Sequence, residues 1–217
     1  MNKAEIIFFD VDHTLIPGIS AEALFGRWLL WHRLIPVGNF VEGAKFFCLN
    51  FRQYGLAAFK ADKMYLRGIK KGELEFLAKK AFKEVIRQRI SPKGIKAIKN
   101  LQKQGKGVVL LSGSPDVIIK EVKEIVGAEE MIAAELEWKK GRATGLVKGI
   151  WPYGQGKLLA ASQYAQKKGL KLADCVAYAN ALADLPLLRA VGRPFVINPD
   201  WRLRRWAKRH GWPLDYF

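Results

Sequence analysis

Short apolar runs that end in polar residues recur along the chain, and this alternation is what most restricts its fold. The runs lie at 4–11, 105–112, 174–180 and 194–198. They are rich in β-branched or aromatic residues, as buried parallel strands are. Helical segments accompany them at roughly 92–104, 115–126, 156–169 and 184–191. The pattern predicts an α/β fold with a Rossmann-like parallel sheet flanked by helices, in which ligands collect at the carboxyl ends of the strands.

Residues 18–88 interrupt this alternation. They are rich in Trp, Phe, Leu, Lys and Arg and contain no clear strand, so we expect an inserted helical cap, with residues 1–17 and 89–217 forming the core. One helical face of the insertion carries mostly aromatic side chains, at Phe40, Ala44, Phe47, Phe51 and Tyr54. Packing within the insertion is the preferred interpretation of this face, and contact with a ligand or lipid is the alternative.

Two further short runs, MIAAELEW and RATGLV, are separated by basic residues and Gly141. A glycine in the connection between two such runs is typical of a β-hairpin. We therefore expect a small antiparallel flap attached to the core.

The positive charge of the chain is concentrated in two blocks. The 217 residues carry a formal net charge of +17; residues 60–106 hold fifteen Lys or Arg against four Asp or Glu, and 201–217 hold five against one. This distribution favours anionic partners, whether phosphorylated substrates, an anionic membrane or nucleic acid. Nucleic acid is the weakest of these, because no segment resembles a dedicated nucleic-acid module. A solvated basic face that aids solubility is the alternative.

The remaining features point to a reducing compartment. Cys48 and Cys175 lie far apart without metal-ligand spacing, so we expect no disulfide. The N-terminus lacks a secretory signal, and the most apolar stretch, residues 28–41, is broken by charged and polar residues. We expect a cytoplasmic protein whose mature chain begins at Met1, with peripheral membrane contact as an alternative and the oligomeric state open.

Candidate catalytic residues begin at FFDVDHTLI, residues 8–16. Asp10 and Asp12 stand two apart where the first apolar strand ends, with Thr14 close behind. Two neighbouring carboxylates repel each other unless a cation neutralises them or one holds a proton. Oxygen ligands of this kind suit Mg²⁺. Capping of a helix or turn is the structural alternative.

Two other segments could bind an anion. In VVLLSGSPD, Ser112 offers a hydroxyl, Gly113 permits close approach of the backbone, and Ser114-Pro115 can open a helix whose N-terminus attracts negative charge. Lys157 falls in the first turn of another predicted helix, after a Gly-rich turn. Taken alone, Lys157 is better explained as a surface lysine, and Ser112 taken alone is no stronger an indication of function.

Taken in order, these motifs resemble the haloacid dehalogenase superfamily of phosphohydrolases, specifically its subfamily IB, which is similar to phosphoserine phosphatases. The family pattern is Asp-x-Asp-x-Thr after the first strand, Ser or Thr after the second, Lys at a helix start, and a loop of the Gly-Asp-x-x-x-Asp type. The corresponding residues in this chain are Asp10, Asp12, Thr14, Ser112, Lys157 and the segment from Asn180 to Asp184. The resemblance covers almost the full length.

The resemblance implies a magnesium-dependent phosphomonoesterase. Asp10 would attack phosphorus to form an aspartyl-phosphate, and Asp12 would act as general acid and base. Ser112 and Lys157 would hold the phosphoryl oxygens. The implied substrate-binding residues are Thr14, Gly113 and Ser114, and the implied magnesium ligands are Asp10, Asp12, Asn180 and Asp184. The helical insertion would close over the site.

Two positions depart from the family pattern. Ile19 stands where phosphoserine phosphatases place a Glu for the substrate amine, which argues against phosphoserine itself. Asn180 stands where the family has a magnesium-binding Asp, and we expect this change to lower metal affinity at least ~10 to 100-fold. The expected substrate is a small or amphiphilic phosphate, including a lipid phosphate. A catalytically weakened phosphate-binding protein is the alternative.

Overall fold

Six strands form one parallel sheet in the computed structural model of the protein, which describes residues 5–54 and 61–217. They are β1 (Ile6–Asp10), β2 (Gly107–Pro115), β3 (Glu130–Ala134), β6 (Val176–Ala179), β7 (Arg193–Ile197) and β8 (Leu214–Asp215), in the spatial order β3-β2-β1-β6-β7-β8. All neighbouring pairs are parallel. The predicted α/β fold is confirmed, although residue 4 of the first predicted strand lies outside the described residues.

Helices cover both faces of the sheet. They are α1 (Ala21–Trp31), α2 (Val37–Tyr54), α3 (Lys71–Ala81), α4 (Pro92–Lys103), α5 (Asp116–Val126), α6 (Gln155–Lys167), α7 (Leu185–Ala190) and α8 (Trp201–Arg209). The four helices predicted between the strands are confirmed within two residues at each end. Local sequence explains several of the ends: the Ser91 hydroxyl accepts a hydrogen bond from Gly94 N, and Gly127 ends α5 at a φ of 72°.

The central strand β1 divides the hydrophobic core into two layers. Its side chains alternate between the sheet faces, so that Ile7 and Phe9 belong to one buried cluster and Ile6 and Phe8 to the other. All five of its residues are buried. This burial explains why the segment has no polar residue before Asp10.

The helical insertion shares one of these two layers. Phe25 and Trp28 of α1 and Leu74 of α3 lie in the same buried cluster as Phe9 and Val108 of the sheet. The predicted cap therefore packs on the sheet through a common core. Residues 55–60 of the predicted range lie outside the described residues.

The aromatic face predicted in the insertion lies on α2, but burial within the insertion is wrong for Phe40, Ala44 and Phe51, which are exposed. About half of the Phe40 and Phe51 side chains is exposed. Phe47 is partly buried and contacts Phe51 at a ring-centroid distance of 5.3 Å. The Tyr54 side chain lies outside the described residues.

The predicted flap is smaller than expected. Strand β4 (Leu136–Lys139) pairs antiparallel with β5 (Arg142–Val147), and Lys140 and Gly141 form the turn with φ angles of 50° and 72°. Residues 131–134, which were predicted to belong to the hairpin, pair instead with β2 as part of β3. The chain leaves the sheet at Glu135, so one apolar run supplies two strands.

The flap is attached to the insertion through backbone hydrogen bonds. Lys63 N donates to Gly145 O at 2.8 Å, and Gly68 N donates to Ala143 O at 2.9 Å. These bonds place the segment after residue 61 beside the flap. Within the described residues no helix has both the length and the hydropathy to cross a bilayer.

Candidate active site

The carboxyl ends of β1, β2 and β6 meet at a cavity of about 300 Å³. Its lining comprises Asp10, Asp12, His13, Ser20, Glu22, Ala23, Gly113, Ser114, Trp151, Tyr153, Lys157, Asn180, Ala181, Ala183 and Asp184. The volume lies at the lower end of the range for small-molecule sites. All four predicted sequence motifs contribute residues to it.

Asp10, the last residue of β1, is held on both carboxylate oxygens. The Thr14 hydroxyl donates to Asp10 Oδ2 at 2.9 Å, and Lys157 Nζ donates to Asp10 Oδ1 at 2.7 Å. Lys157 Nζ also lies 2.9 Å from Asp184 Oδ1. The first turn of α6 thus places one buried ammonium between two buried carboxylates.

Burial dominates the protonation of this cluster. It raises the pKa of Asp10 to about 7, against the opposing attraction of Lys157 and with the help of the Asp184 and Asp12 charges. Burial alone would lower the pKa of Lys157, but the adjacent Asp10 and Asp184 raise it above its ordinary value overall. Lys157 is therefore a permanent cation at neutral pH.

Asp12 lies in a ring of hydrogen-bond donors. The Ser112 hydroxyl donates to Asp12 Oδ2 at 2.6 Å, and the Ser114 hydroxyl lies within 3.0 Å of both oxygens. Ala21 N, in the first turn of α1, donates to Asp12 Oδ1 at 2.7 Å. The end of β2 and the start of α1 together fix this carboxylate at the cavity wall.

The residues predicted to contact the substrate differ in their access to the cavity. Gly113 and Ser114 line it, as does Lys157. Thr14 and Ser112 are fully buried and do not line it, and their hydroxyls hold Asp10 and Asp12. The Thr14 and Ser112 hydroxyls thus orient the Asp10 and Asp12 carboxylates.

The loop after β6 brings Asn180 and Asp184 to the cavity. The two Asp184 oxygens are engaged, one by Lys157 and the other by Ala181 N at 3.4 Å. Asn180 is mostly buried, and its side-chain amide has no hydrogen-bond partner among the described residues. An amide oxygen at the cavity is thus left open to a ligand.

The loop is anchored from outside the four motifs. Asp200 N donates to Asn180 O at 2.9 Å, and Leu182 N donates to Asp200 Oδ2 at 2.7 Å. Asn198 Nδ2 donates to the carbonyls of His13 and Thr14, at 3.2 and 3.1 Å. His13 has a φ of 61°, so these bonds hold a left-handed residue directly after Asp12.

The donor set suits magnesium. No group of three or more His, Cys, Asp or Glu side chains forms a metal cage in the described part of the chain. Magnesium needs no such cage, since it takes one or two carboxylates and fills its octahedron with water and phosphate oxygens. Asp10 and Asn180 line the same cavity and both carry oxygen atoms, so they could hold this ion.

Sequence reasoning missed several residues that line the cavity outside the four motifs. Glu22 accepts hydrogen bonds from Lys63 Nζ at 2.9 Å and from the Tyr65 hydroxyl at 3.3 Å. Burial raises the pKa of Glu22, against the opposing attraction of Lys63. Glu22 was hard to predict from the sequence, because it lies three residues after Ile19, the position at which the family pattern has its acid.

An aromatic pair also lines the cavity. The Trp151 and Tyr153 rings stack at 4.7 Å with an interplanar angle of 12°. Trp151 Nε1 donates to Gly113 O at 3.2 Å, and a Cβ on Gly113 would lie only 3.2 Å from that nitrogen. Gly113 thus allows the aromatic wall to approach the end of β2.

A sequence profile of haloacid dehalogenase-like hydrolases matches residues 7–189. The chain belongs to this family. The match covers all four motifs, from the strand that ends at Asp10 to the loop that contains Asp184.

Relatives within the haloacid dehalogenase-like hydrolases include named phosphatases. A phosphoserine phosphatase of Mycobacterium tuberculosis is 30% identical over 217 residues, which cover 97% of this chain and 70% of that protein. A histidinol-phosphatase of Neisseria meningitidis is 28% identical over 225 residues, which cover 98% of each chain. With a probable phosphatase of M. tuberculosis, identity is 37% over 113 residues, and the chain spans 39% of that protein's length.

Solved structures agree on the fold. A Bordetella pertussis protein of unknown function superposes with a TM-score of 0.82 at 24% identity, covering 99% of both chains. A phosphoserine phosphatase in its apo form superposes with a TM-score of 0.65 at 21% identity, covering 99% of this chain and 94% of that one. The parallel sheet with flanking helices is therefore the fold of this family.

Proposed function

We propose that the protein is a magnesium-dependent phosphomonoester hydrolase that acts through an aspartyl-phosphate on Asp10. The observation that carries the proposal is the convergence of Asp10, Asp12 and Lys157 on one cavity at the carboxyl end of the sheet. A nucleophilic carboxylate, a second carboxylate for proton transfer and a fixed cation are the groups that phosphoryl transfer requires.

The environment of Asp10 suits a nucleophile. Thr14 and Lys157 fix the orientation of its carboxylate, which lowers the entropic cost of in-line attack. The Lys157 ammonium attracts the phosphoryl oxygens toward the same carboxylate. Together with the backbone at Gly113 and Ser114, it offsets the charge that develops during transfer.

Asp12 is placed to move protons. As Asp10 bonds to phosphorus and the ester P–O bond breaks, the departing alkoxide takes a proton from Asp12. Asp12 then accepts a proton from the water that attacks the aspartyl-phosphate, which releases phosphate and restores Asp10. The Ser112 and Ser114 hydroxyls can donate to ionised Asp12 or accept from protonated Asp12, because a hydroxyl does both.

Magnesium would be held by Asp10 and Asn180, with Asp12 and Asp184 as further proposed ligands. When bound, it would offset the repulsion between the carboxylate and the phosphate. Asp184 already positions Lys157, so we give Asn180 a larger part than Asp184 in metal binding.

The leaving group would meet the wall formed by Glu22, Trp151 and Tyr153. The aromatic pair offers a flat apolar surface, and Glu22 offers a hydrogen-bond acceptor. Phosphoserine and histidinol phosphate, the substrates that two relatives are named for, are small phosphomonoesters with an amine donor. Ile19 argues for a leaving group other than serine, and an amphiphilic phosphate is a second proposed class.

A weakened, phosphate-binding protein is the second candidate function, and Asn180 is the observation that favours it. An amide contributes no negative charge to a magnesium site, so affinity for the ion falls. The hydrolase should turn over substrate at saturating magnesium, whereas the weakened phosphate-binding protein should turn it over poorly.

Phosphate release across a panel of phosphomonoesters, measured against magnesium concentration, tests the proposal. The wild type should turn over at least one small phosphomonoester, and Asp10→Asn should lose at least about a thousandfold in kcat, because the nucleophile is gone. Asn180→Asp should lower the half-saturating magnesium concentration at least about tenfold.

Asp174→Asn is the matched control, since Asp174 is exposed and lies outside the cavity. It should leave phosphate release unchanged. Full turnover in Asp10→Asn would overturn the mechanism, and turnover seen only in Asn180→Asp would establish the weakened protein instead.

A further inference from the structure

The outward side of α2 is a continuous apolar stripe. Its members follow a spacing of four and three residues along the helix, which places them on one face. We call Val37, Val41, Ala44, Cys48 and Phe51 the outer stripe. Val37 is 81% exposed, Val41 54% and Phe51 49%, and Phe40 borders the stripe.

The inward side of the same helix makes polar and close backbone contacts with the segment after residue 61, and the partly buried Phe46 and Phe47 lie on the same helix. Asn39 Nδ2 donates to the carbonyls of Tyr65 and Arg67, at 3.3 and 2.9 Å. Gly43 faces Met64, with a hypothetical Cβ 3.8 Å from the Met64 Cβ. A surface helix of a water-soluble domain normally turns polar side chains outward. The outward face of α2 therefore fits an apolar environment outside the folded chain.

A second exposed apolar group lies at the end of α1. Trp31 is 85% exposed and Leu30 55%. These two side chains line a shallow depression together with Arg27 and Arg33. Apolar and cationic side chains are thus contiguous here, as they are on surfaces that rest at the lipid interface.

The charged residues around the outer stripe and Trp31 favour an anionic partner for this surface. Residues 23–52 contain four formal cations, Arg27, Arg33, Lys45 and Arg52. Glu42 is the single acid in that range, and it pairs with Lys45 at 3.0 Å and with Arg67 at 2.7 Å. A second copy of this chain would bring the same cations together, whereas an anionic bilayer complements them.

We propose that the outer stripe, together with Leu30 and Trp31, rests on the surface of an anionic lipid bilayer. The apolar side chains enter the boundary between headgroups and acyl chains, and the flanking Arg and Lys side chains meet the lipid phosphates. The contact is peripheral. It concerns binding alone and does not depend on the proposed reaction.

Co-sedimentation with vesicles tests the proposal. The probes are vesicles of phosphatidylcholine mixed with phosphatidylglycerol, and vesicles of phosphatidylcholine alone. The wild type should bind the anionic vesicles more tightly, and added salt should weaken that binding because it screens the cations. Trp31→Ser combined with Phe40→Ser should weaken binding at least about tenfold, since burial of one large apolar side chain alone contributes about that factor.

The matched control is Trp201→Ser combined with Phe76→Ser. Both control side chains are similarly exposed but lie on α8 and α3. The control should bind like the wild type. Equal binding by the two double variants, or the absence of binding to anionic vesicles, would overturn the proposal. A wild-type dimer that the Trp31→Ser and Phe40→Ser changes dissociate would show instead that a second copy covers this surface.

Discussion

Asp10 shows the conflict between stability and function at the scale of one residue. The fold buries a carboxyl group beside two other acids, which disfavours its ionised form and raises its pKa to about 7. Nucleophilic attack, the role proposed for Asp10, requires that same ionised form. In the proposed enzyme the site therefore holds an unfavourable charge when magnesium is absent, a cost that functional sites often carry.

We expect Asp10→Asn to stabilise the magnesium-free protein at neutral pH. The pKa of Asp10 is about 7 in the folded state and near 4 in the unfolded state. An acid with a raised folded-state pKa lowers the stability of the protein as pH rises through the range between the two pKa values. Asp10→Asn does not lose this stability, because it has no carboxyl group at position 10. Its free energy of unfolding should exceed that of the wild type by on the order of 2 kcal/mol at pH 8 and should match it near pH 4.

Urea unfolding in a chelator across this pH range measures the difference. Asp174→Asn, which removes an exposed carboxyl, should give no pH-dependent difference. A wild type that is more stable than Asp10→Asn at neutral pH would contradict the account of the buried charge.

At the scale of elements, the sequence predicted what depends on local pattern. The four predicted strands and their helices agree with the structure. Asp10, Asp12, Lys157 and Asp184 line one cavity. The hairpin is present but shorter than predicted, because residues 131–134 pair with β2 as part of β3. A run without Gly or Pro gives no sign of the bend at Glu135. Pairing between distant segments leaves no local signal.

The cavity wall was missed for a similar reason. Glu22 and Trp151 are 129 positions apart in the chain and meet only through tertiary packing. The exposure of the α2 face went against the preferred interpretation, because periodicity shows that a helix has a face but not which way it points.

The start of α6 is the element on which Lys157 depends. A Cβ on Gly156 would collide with the Trp151 carbonyl. Gly156→Ala should therefore shift the first turn of the helix, cost about 1–3 kcal/mol of stability and lower kcat about a hundredfold through a misplaced Lys157.

Gly72→Ala is the matched control for this change. Gly72 lies in α3 with open space around its Cα, so the substitution should stabilise the protein by up to about 1 kcal/mol and leave kcat unchanged. Thermal unfolding and phosphate release measure both variants. Equal effects of the two substitutions would show that packing at Gly156 does not position Lys157.

At the scale of the whole molecule, the insertion and the sheet should unfold together, because they share a hydrophobic cluster. Leu74→Ala, in α3, should cost about 2–5 kcal/mol and reduce hydrogen-exchange protection equally in peptides from α1 and β2. Leu159→Ala, at an exposed position of α6, should change protection little. Lost protection in α1 with full protection in β2 would mean that the insertion is an independent unit.

The central claim is that Asp10 carries the phosphoryl group. Rapid acid quench during turnover of a phosphomonoester labelled in its phosphate, followed by peptide mapping, tests it most directly. The label should appear on the peptide that contains Asp10, should decay when excess unlabelled substrate is added, and should be absent from Asp10→Asn. Continued turnover with no label on that peptide, or with label on another residue, would contradict the account.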